Sequence, residues 1–453
     1  MMDLTPGKIF KDFQNNELDR ITAVKLLISL IDNSENNRVR VESIETLEKI
    51  KVNDDKSFKI LENLLISDSN ERVRTAAAEI LKKLYVNKAL KPMKWVLQHE
   101  ESTECLNVIY NTLMVILTTL TNSKDPLTKQ ILFNEIKEIE LMQFKNGFEI
   151  LCESREIESF TKKELTEILI NYFTLSFLEK IFWRLKFNIE KCKVVELNFV
   201  FKGLTTLPDA IKHLSSLKKL IFRYNQLMNL PKWIGSLKSL EVLDLNVNNL
   251  KELPESIGSL FSLKELSLWK NEVSSLPKSI GQLTSLEYLN LKFNQLKSIP
   301  DNIGNLISLK ELNMRDNRLT FVPSSIRSLK KLEKLNISWN ELKFIPDSIG
   351  SLSSLRFLDL ERNELLKIPN SITSLNSLRI LNLSENKLTN IPETLGSLRS
   401  LEVLNLSKNE LTYLPESLGE LVSLRELYLG DNPLEKYPKA LKILEKNEVQ
   451  IYY

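Results

Sequence analysis

Apolar positions in the last three fifths of this chain recur with a fixed step of 23 residues. Eleven of the fifteen prolines share one frame, from Pro208 through Pro231, Pro254, Pro277, Pro300, Pro323, Pro346, Pro369, Pro392 and Pro415 to Pro438. An asparagine series keeps the same step: Asn225, Asn248, Asn271, Asn294, Asn317, Asn340, Asn363, Asn386, Asn409 and Asn432. Between these marks each copy carries Leu-x-Leu, as in Leu289-Asn290-Leu291, the period-two alternation of a short strand with one face buried. Proline has no N–H for a ladder and fixes its own φ, so Leu-Pro predicts the end of the strand and a turn to the opposite side. The following Pro-x-x-Ile-Gly-x-Leu-x-x-Leu limb is bulkier than the strand, so stacked copies are expected to curve with the strands on the concave side.

A period of this length carrying Leu-x-x-Leu-x-Leu-x-x-Asn-x-Leu is the signature of a leucine-rich repeat solenoid. The expected fold from about Val194 onward is an α/β solenoid of eleven or twelve repeats with parallel strands. Its first copy is degenerate, with Leu197, Phe199, Leu204 and Leu207-Pro208 in frame but Lys202 where asparagine is expected. Ten full copies follow. Leu441 and Leu444 hold the frame, and Val449–Tyr453 places its apolar pair one residue early, as a closing half-repeat would. The ladder asparagines are expected to satisfy backbone groups of neighbouring copies. Lys202 cannot accept a hydrogen bond and is expected to leave the first rung incomplete. Glycine marks most copies, at Gly235, Gly258, Gly281, Gly304, Gly350, Gly396 and Gly419, but Arg327 and Thr373 replace it in two. A left-handed backbone is therefore not expected there.

The first quarter has helical periodicity instead. Ile21, Val24, Leu27 and Ile31 lie on one face, a polar break follows at Asp32-Asn33-Ser34, and a second amphipathic segment runs from Arg38 to Ile50. The arrangement returns 34 residues later, with Val73-Arg74 matching Val39-Arg40. This unit resembles HEAT repeats, and a third copy with Glu104-Cys105 in place of Val-Arg is expected over Lys88–Leu120. The expected organisation is an all-α HEAT-like block at residues 1–124, a helical connector at 125–190, and the solenoid at 191–453. Within the connector, Thr161-x-x-Glu164 opens a helix with a capping box. That helix is expected to cover the exposed core of the first repeat, with a plain linker helix as the alternative.

Charge and candidate chemistry narrow the function. With 62 basic and 59 acidic residues the net charge is +3, too small to hold nucleic acid or an anionic membrane by its field. Cys105, Cys152 and Cys192 are few and scattered, unlike the disulfide-bonded caps of extracellular repeats, and the N-terminus lacks the apolar core of a signal peptide. A cytoplasmic location is expected. Only two histidines, His99 and His213, are present, with no metal-spaced Cys/His cluster, phosphate-binding loop or nucleophile elbow. The expectation is a chain that is not an enzyme and carries no cofactor, metal site or catalytic residue.

Binding is expected on the strand face. One outward column (Asp244, Ser267, Asn290, Asn313, Asn336, Asp359 and their equivalents) is small and polar, suited either to a partner's main chain or to simple solubility. Two further columns concentrate aromatic and basic residues at Arg223, Tyr224, Trp269, Lys270, Lys292, Phe293, Arg315 and Trp339. Trp, Tyr and Arg most often carry interface energy, so this patch is the candidate partner site. The repeat resembles the intracellular repeats of the Ras-scaffold, Scribble and plant Ras-group type. That resemblance implies a protein partner on the concave face, with a small GTPase or a phosphatase or kinase of its pathway as the leading class. The competing reading is an enzyme or regulatory subunit with its activity in the HEAT-like half, since such repeats resemble those of bilin lyase-like proteins.

Overall fold

The computed structural model describes residues 4–435 and 438–453, apart from residues 140, 142, 147, 148 and 150–158. Cys152 and the middle of the expected connector lie outside the described residues. The chain divides into two compact units, residues 1–194 and 195–453.

The first unit is built from α1 (Pro6–Gln14), α2 (Arg20–Asn33), α3 (Asn37–Lys49), α4 (Asp55–Ser67), α5 (Glu71–Leu84), α6 (Leu90–His99), α7 (Thr103–Asn122), α8 (Leu127–Lys137) and α9 (Lys162–Ile181). Short polar residues start most of these helices. Asp19, Asn36, Asp54, Asn70 and Ser102 each accept an N–H of the first turn. At α9, Thr161 and Glu164 exchange both bonds of a capping box. Helix α7 is long and apolar enough to cross a membrane by length and composition, but its Ile109, Leu113, Ile116 and Leu117 are fully buried. It is the core helix of this unit, packed against α5, α6 and α9.

The Val-Arg dipeptides have a mechanical role. Arg40 on α3 reaches forward to Asp68, which precedes α5, and its Nε donates to the Ile31 carbonyl at 2.8 Å. One copy later, Arg74 forks onto Glu100 at 2.6 and 2.7 Å and donates to the Asp68 carbonyl at 2.8 Å. Each second helix is thereby tied to the acid of the next copy. In the third copy the position four residues past the N-cap Ser102 is Leu106, so Cys105 falls in register with Val73 and not, as the sequence suggested, with Arg74, and no third guanidinium continues the series. Burial pushes that thiol up to about 11.

Glu100 is almost fully buried. Burial opposes its charge, but the Arg74 fork and the backbone N–H groups of Ser102 and Glu101 outweigh it and pull the carboxyl down from 4.5 to about 2. The stability it supplies is therefore complete above pH 4.5 and drains as the pH falls towards about 2. Glu100→Gln should lose about 3–5 kcal/mol at neutral pH, because it strands a buried guanidinium. It should also flatten the acid limb of the urea-unfolding profile, followed by helical circular dichroism. An acid limb as steep as that of the parent chain would refute the assignment.

The second architecture is one sheet of thirteen strands in sequence order. It starts with β1 (Lys186–Glu190) and β2 (Lys193–Asn198), joined by the two-residue turn Lys191-Cys192, whose φ values of 48° and 62° are those of a hairpin turn. A two-residue link permits only antiparallel pairing. Lys186–Glu190 is thus a strand, not a continuation of the helical connector. Strands β3 (Lys219–Ile221), β4 (Val242–Asp244), β5 (Glu265–Ser267), β6 (Tyr288–Asn290), β7 (Glu311–Asn313), β8 (Lys334–Asn336), β9 (Phe357–Asp359), β10 (Ile380–Asn382), β11 (Val403–Asn405) and β12 (Glu426–Tyr428) follow in parallel register. Leu220 pairs with Leu243, Leu243 with Leu266, and so on at the 23-residue step. The last pair, Leu427 with Ile451 of β13 (Gln450–Tyr452), is offset by 24, one residue late and not one early as the sequence suggested, because the return limb there is an α-helix, α10 (Lys439–Lys446), in place of a short 3-10 turn. Strands β2 to β13 are twelve in parallel, as expected with a closing half-repeat, and only the hairpin strand β1 was not foreseen.

Each ladder asparagine binds two copies at once. The Nδ2 of Asn317 donates to Met314 O in its own copy at 3.0 Å and to Leu291 O in the copy before at 2.9 Å. Its Oδ1 accepts Leu296 N of that earlier copy at 3.0 Å. The same cross-copy bonds recur at all ten asparagines, for example at Asn225 with Phe199 O and Leu204 N, and at Asn432 with Leu406 O and Leu411 N. In the first copy the backbone N–H of Lys202 is held by Asn225 Oδ1 at 3.0 Å.

The glycines answer to space rather than to φ. A Cβ on Gly304 would stand 2.5 Å from the Ser325 carbonyl oxygen of the next copy, and one on Gly281 would stand 2.4 Å from that of Asn302. Close stacking of the convex limbs, not a left-handed backbone, requires them.

Asn317→Leu should destabilise the solenoid by about 2–4 kcal/mol, leaving two carbonyls and one N–H buried and unpaired. Asp316→Asn should shift it by less than about 0.5 kcal/mol. Urea denaturation of both variants checks this, and equal midpoints would contradict the ladder's role.

Candidate protein-binding surface

Five columns of side chains face outward from the strands and the turn beyond them. The first alternates in sign: Glu241, Lys264, Glu287, Lys310 and Glu333, then Arg356, Arg379 and Glu402. Its charges pair within the column, Lys264 with Glu241 at 2.7 Å, Lys310 with Glu287 at 2.6 Å and Arg379 with Glu402 at 3.3 Å. The second column, at the first strand residue, was not singled out from the sequence. It places exposed Tyr288 between Glu265 and Glu311 in adjacent strands. With Arg223, Asp244 and Ser267 these residues line a depression of about 270 Å³.

The third column is the small polar one, and it is occupied with its own backbone. Asn290, Asn313, Asn336, Asp359, Asn382 and Asn405 each accept the N–H two residues on, at 3.0–3.1 Å. These Asx turns bend the chain out of the strand, so those oxygens are structural and are not held ready for a partner's main chain. Burial drives the Asp359 carboxyl up, against the Glu361 N–H and the charge of Arg315.

The fourth and fifth columns carry the candidate patch. The fifth is not a strand position at all. Tyr224, Val247, Lys270, Phe293, Asp316, Trp339, Arg362, Glu385, Lys408 and Asp431 all have φ between 52° and 58°. They sit in a left-handed turn at the rim of the sheet, as does Phe201 in the first copy, with φ 56°. Asparagine, aspartate and glycine suit that conformation, and bulky residues resist it.

The patch divides into three groups. Arg223 pairs with Asp244, and Tyr224 stacks on exposed Phe201 with centroids 4.5 Å apart. Phe201 stands one repeat before Tyr224, but the break in pattern at Lys202 hides it in the sequence. In the middle, Lys292 lies 5.0 Å from the Phe293 ring, beside Lys270 and Trp269 of the preceding copy. Farther on, Trp339 is held between two guanidiniums, Arg315 at 5.3 Å and Arg362 at 3.8 Å. Arg362 was not among the expected site residues, although the 23-residue step places it directly after Trp339 in the same column. Arg315 also approaches Glu361 at 3.9 Å. The indole Nε1 of Trp269, that of Trp339 and Nε of Arg315 are buried without a hydrogen-bond acceptor in the protein. Among the described residues no group of three or more His, Cys, Asp or Glu is placed to hold a metal.

A family profile described as a leucine-rich repeat region matches residues 187–298, 255–343, 275–367 and 346–446, together more than half of the chain. This chain belongs to the leucine-rich repeat family. A second profile, HEAT repeats, matches residues 19–113. No curated protein sequence matches it. Among solved structures, the leucine-rich repeat segment is similar to a TDR receptor at 29% identity and a TM-score of 0.52, covering 57% of this chain and 46% of that one. A Leptospira interrogans leucine-rich repeat protein is 30% identical with a TM-score of 0.34, over 55% of this chain and 82% of that one. The plant peptide hormone receptor RGFR1, solved in complex with RGF2, is 32% identical with a TM-score of 0.45, over 54% and 45%. Leucine-rich repeat folds of this kind are typical of protein–protein interaction modules.

The rim turn gives a direct test of the geometry. Val247 is β-branched and left-handed, so Val247→Asn should stabilise the leucine-rich repeat unit by about 0.5–1 kcal/mol. A urea midpoint at or below that of the parent chain would show that the turn costs nothing.

Proposed function

We propose that this chain is a non-enzymatic scaffold that holds a folded protein on the concave face of its repeats. The observation that carries this reading is the rim itself. Tyr224 and Phe293 are large exposed side chains placed in left-handed turns, where neither burial nor backbone preference asks for them, and half-buried Trp339 shares that backbone. Such a choice costs stability at each of these copies and fits a surface that is used. Trp269 and Trp339 supply apolar anchors, and Arg315 supplies a planar fork between them. The resemblance to Ras-scaffold repeats makes a small GTPase, or a signalling enzyme of its pathway, the partner class of this reading. A reducing, cytoplasmic setting fits the buried free thiols of Cys105 and Cys192.

The test uses the full-length chain. Proteins captured from a lysate of the source cells are purified and titrated against the parent chain, Trp269→Ala and Lys278→Glu. Lys278 lies exposed on the convex limb. Trp269→Ala should weaken the complex by about 1–2 kcal/mol or more, with Lys278→Glu matching the parent. Melting curves establish that both variants are folded. Unchanged affinity in Trp269→Ala for every captured protein would refute the concave site.

A further inference from the structure

The surface also carries information about what it binds. On the first column the cations are matched in-house, as Lys264 with Glu241, Lys310 with Glu287 and Arg379 with Glu402 illustrate. The opposite rim is matched at its two ends, where Arg223 pairs with Asp244 and Arg362 and Lys408 pair with Glu385, but its middle follows a different rule. Lys270 and Lys292, in consecutive copies, have no carboxylate within ion-pairing distance among the described residues. Arg315 in the next copy has only the long contact to Glu361, at 3.9 Å. On the fourth and fifth columns no acid appears from Val247 to Arg315; Asp316 is the first. The unpartnered polar atoms of this region, Trp269 Nε1, Trp339 Nε1 and Arg315 Nε, are all donors. Two cations without a carboxylate, Lys270 and Lys292, and the weakly matched Arg315, interleaved with Trp269 and Phe293, leave this stretch of the rim short of negative charge.

Resting on the concave-face reading above, we infer that the segment seated on this rim is an acidic stretch of a protein that also carries aromatic or aliphatic side chains. Carboxylates meet Lys270, Lys292 and the Arg315 fork, and the apolar side chains lie against Trp269 and Phe293. A nucleic acid would offer acceptors and charge too, but its continuous phosphates would have to pass the carboxylates of Glu265, Glu287 and Glu311 on the facing columns of the same copies. A peptide places its charge on one side only, so the division of the face into a basic rim and a partly acidic one favours the peptide.

Fluorescence anisotropy with the full-length chain tests this. The probes are a labelled peptide of glutamate, phenylalanine and serine, its counterparts with glutamine or lysine in place of glutamate, and an oligothymidylate of equal length. The glutamate peptide should bind about tenfold or more tighter than the glutamine and lysine peptides, and added salt should weaken it. The Lys270→Glu/Lys292→Glu double variant should invert the order, losing the glutamate peptide and gaining the lysine one. Equal affinity for the peptides, no binding of any of them, tighter binding of the oligothymidylate, or an unchanged order in the double variant would each overturn the inference. Trp269→Ala tests the surface without altering charge. Hence loss of captured partner in that variant alongside failure of the peptide ranking would refute the acidic segment while leaving the concave site standing.

Discussion

The solenoid depends on a buried amide that is shared between copies. A strand of three residues closes too few ladder bonds to stand alone, and the turn after it leaves carbonyls and N–H groups inside the stack. Each asparagine supplies two donors and an acceptor at one point, and it spends them on its own copy and the one before. The bonds therefore cannot form within an isolated repeat, which makes stability a property of neighbours, as expected for a one-dimensional stack. The apolar core follows the same rule: Leu243, Leu266, Leu289 and Leu312 are fully or almost fully buried only because a copy lies on each side.

The helical unit solves the same problem with charge. Arg40 and Arg74 each reach the acid of the following copy, and the chain of pairs stops where Leu106 stands at the position of the guanidinium. A buried ion pair contributes less net stability than its geometry suggests, because both groups are taken out of water. Its stronger effect is on specificity, since one missing partner leaves a buried charge.

Much of this was legible in the sequence, for an identifiable reason. A repeated structural demand repeats its residue, so the prolines, the leucines and the ladder asparagines reveal both fold and period. Elements that occur once have no such signal. The β1–β2 hairpin turns on Lys191-Cys192, with neither glycine nor asparagine to mark it, and at α10 the sequence showed that the last strand leaves the frame but suggested the wrong direction, because Val449 resembles the inward residue that Ile451 is. At the surface, the letters of the candidate patch were visible but their backbone was not. Nothing in Tyr224 or Trp339 announces a left-handed φ, since bulky residues argue against one. The polar third column was misleading in the opposite sense: Asn290 and Asn313 look available for a partner, yet their oxygens are already held by the N–H groups of Lys292 and Arg315.

The alternating column of Glu241, Lys264, Glu287, Lys310 and Glu333 bears on folding fidelity. Near-identical copies can mis-stack, because any leucine strand offers the same apolar face to any other. If one copy were looped out and its two neighbours docked directly, Glu241 would meet Glu287, or Lys264 would meet Lys310. One exposed pair weighs only a few tenths of a kcal/mol, but each skipped copy converts two attractions into one repulsion. The column thus acts as a parity check on the order of repeats. It lapses at one place, where Arg356 is followed by Arg379, and there the stack is least protected against an error in counting.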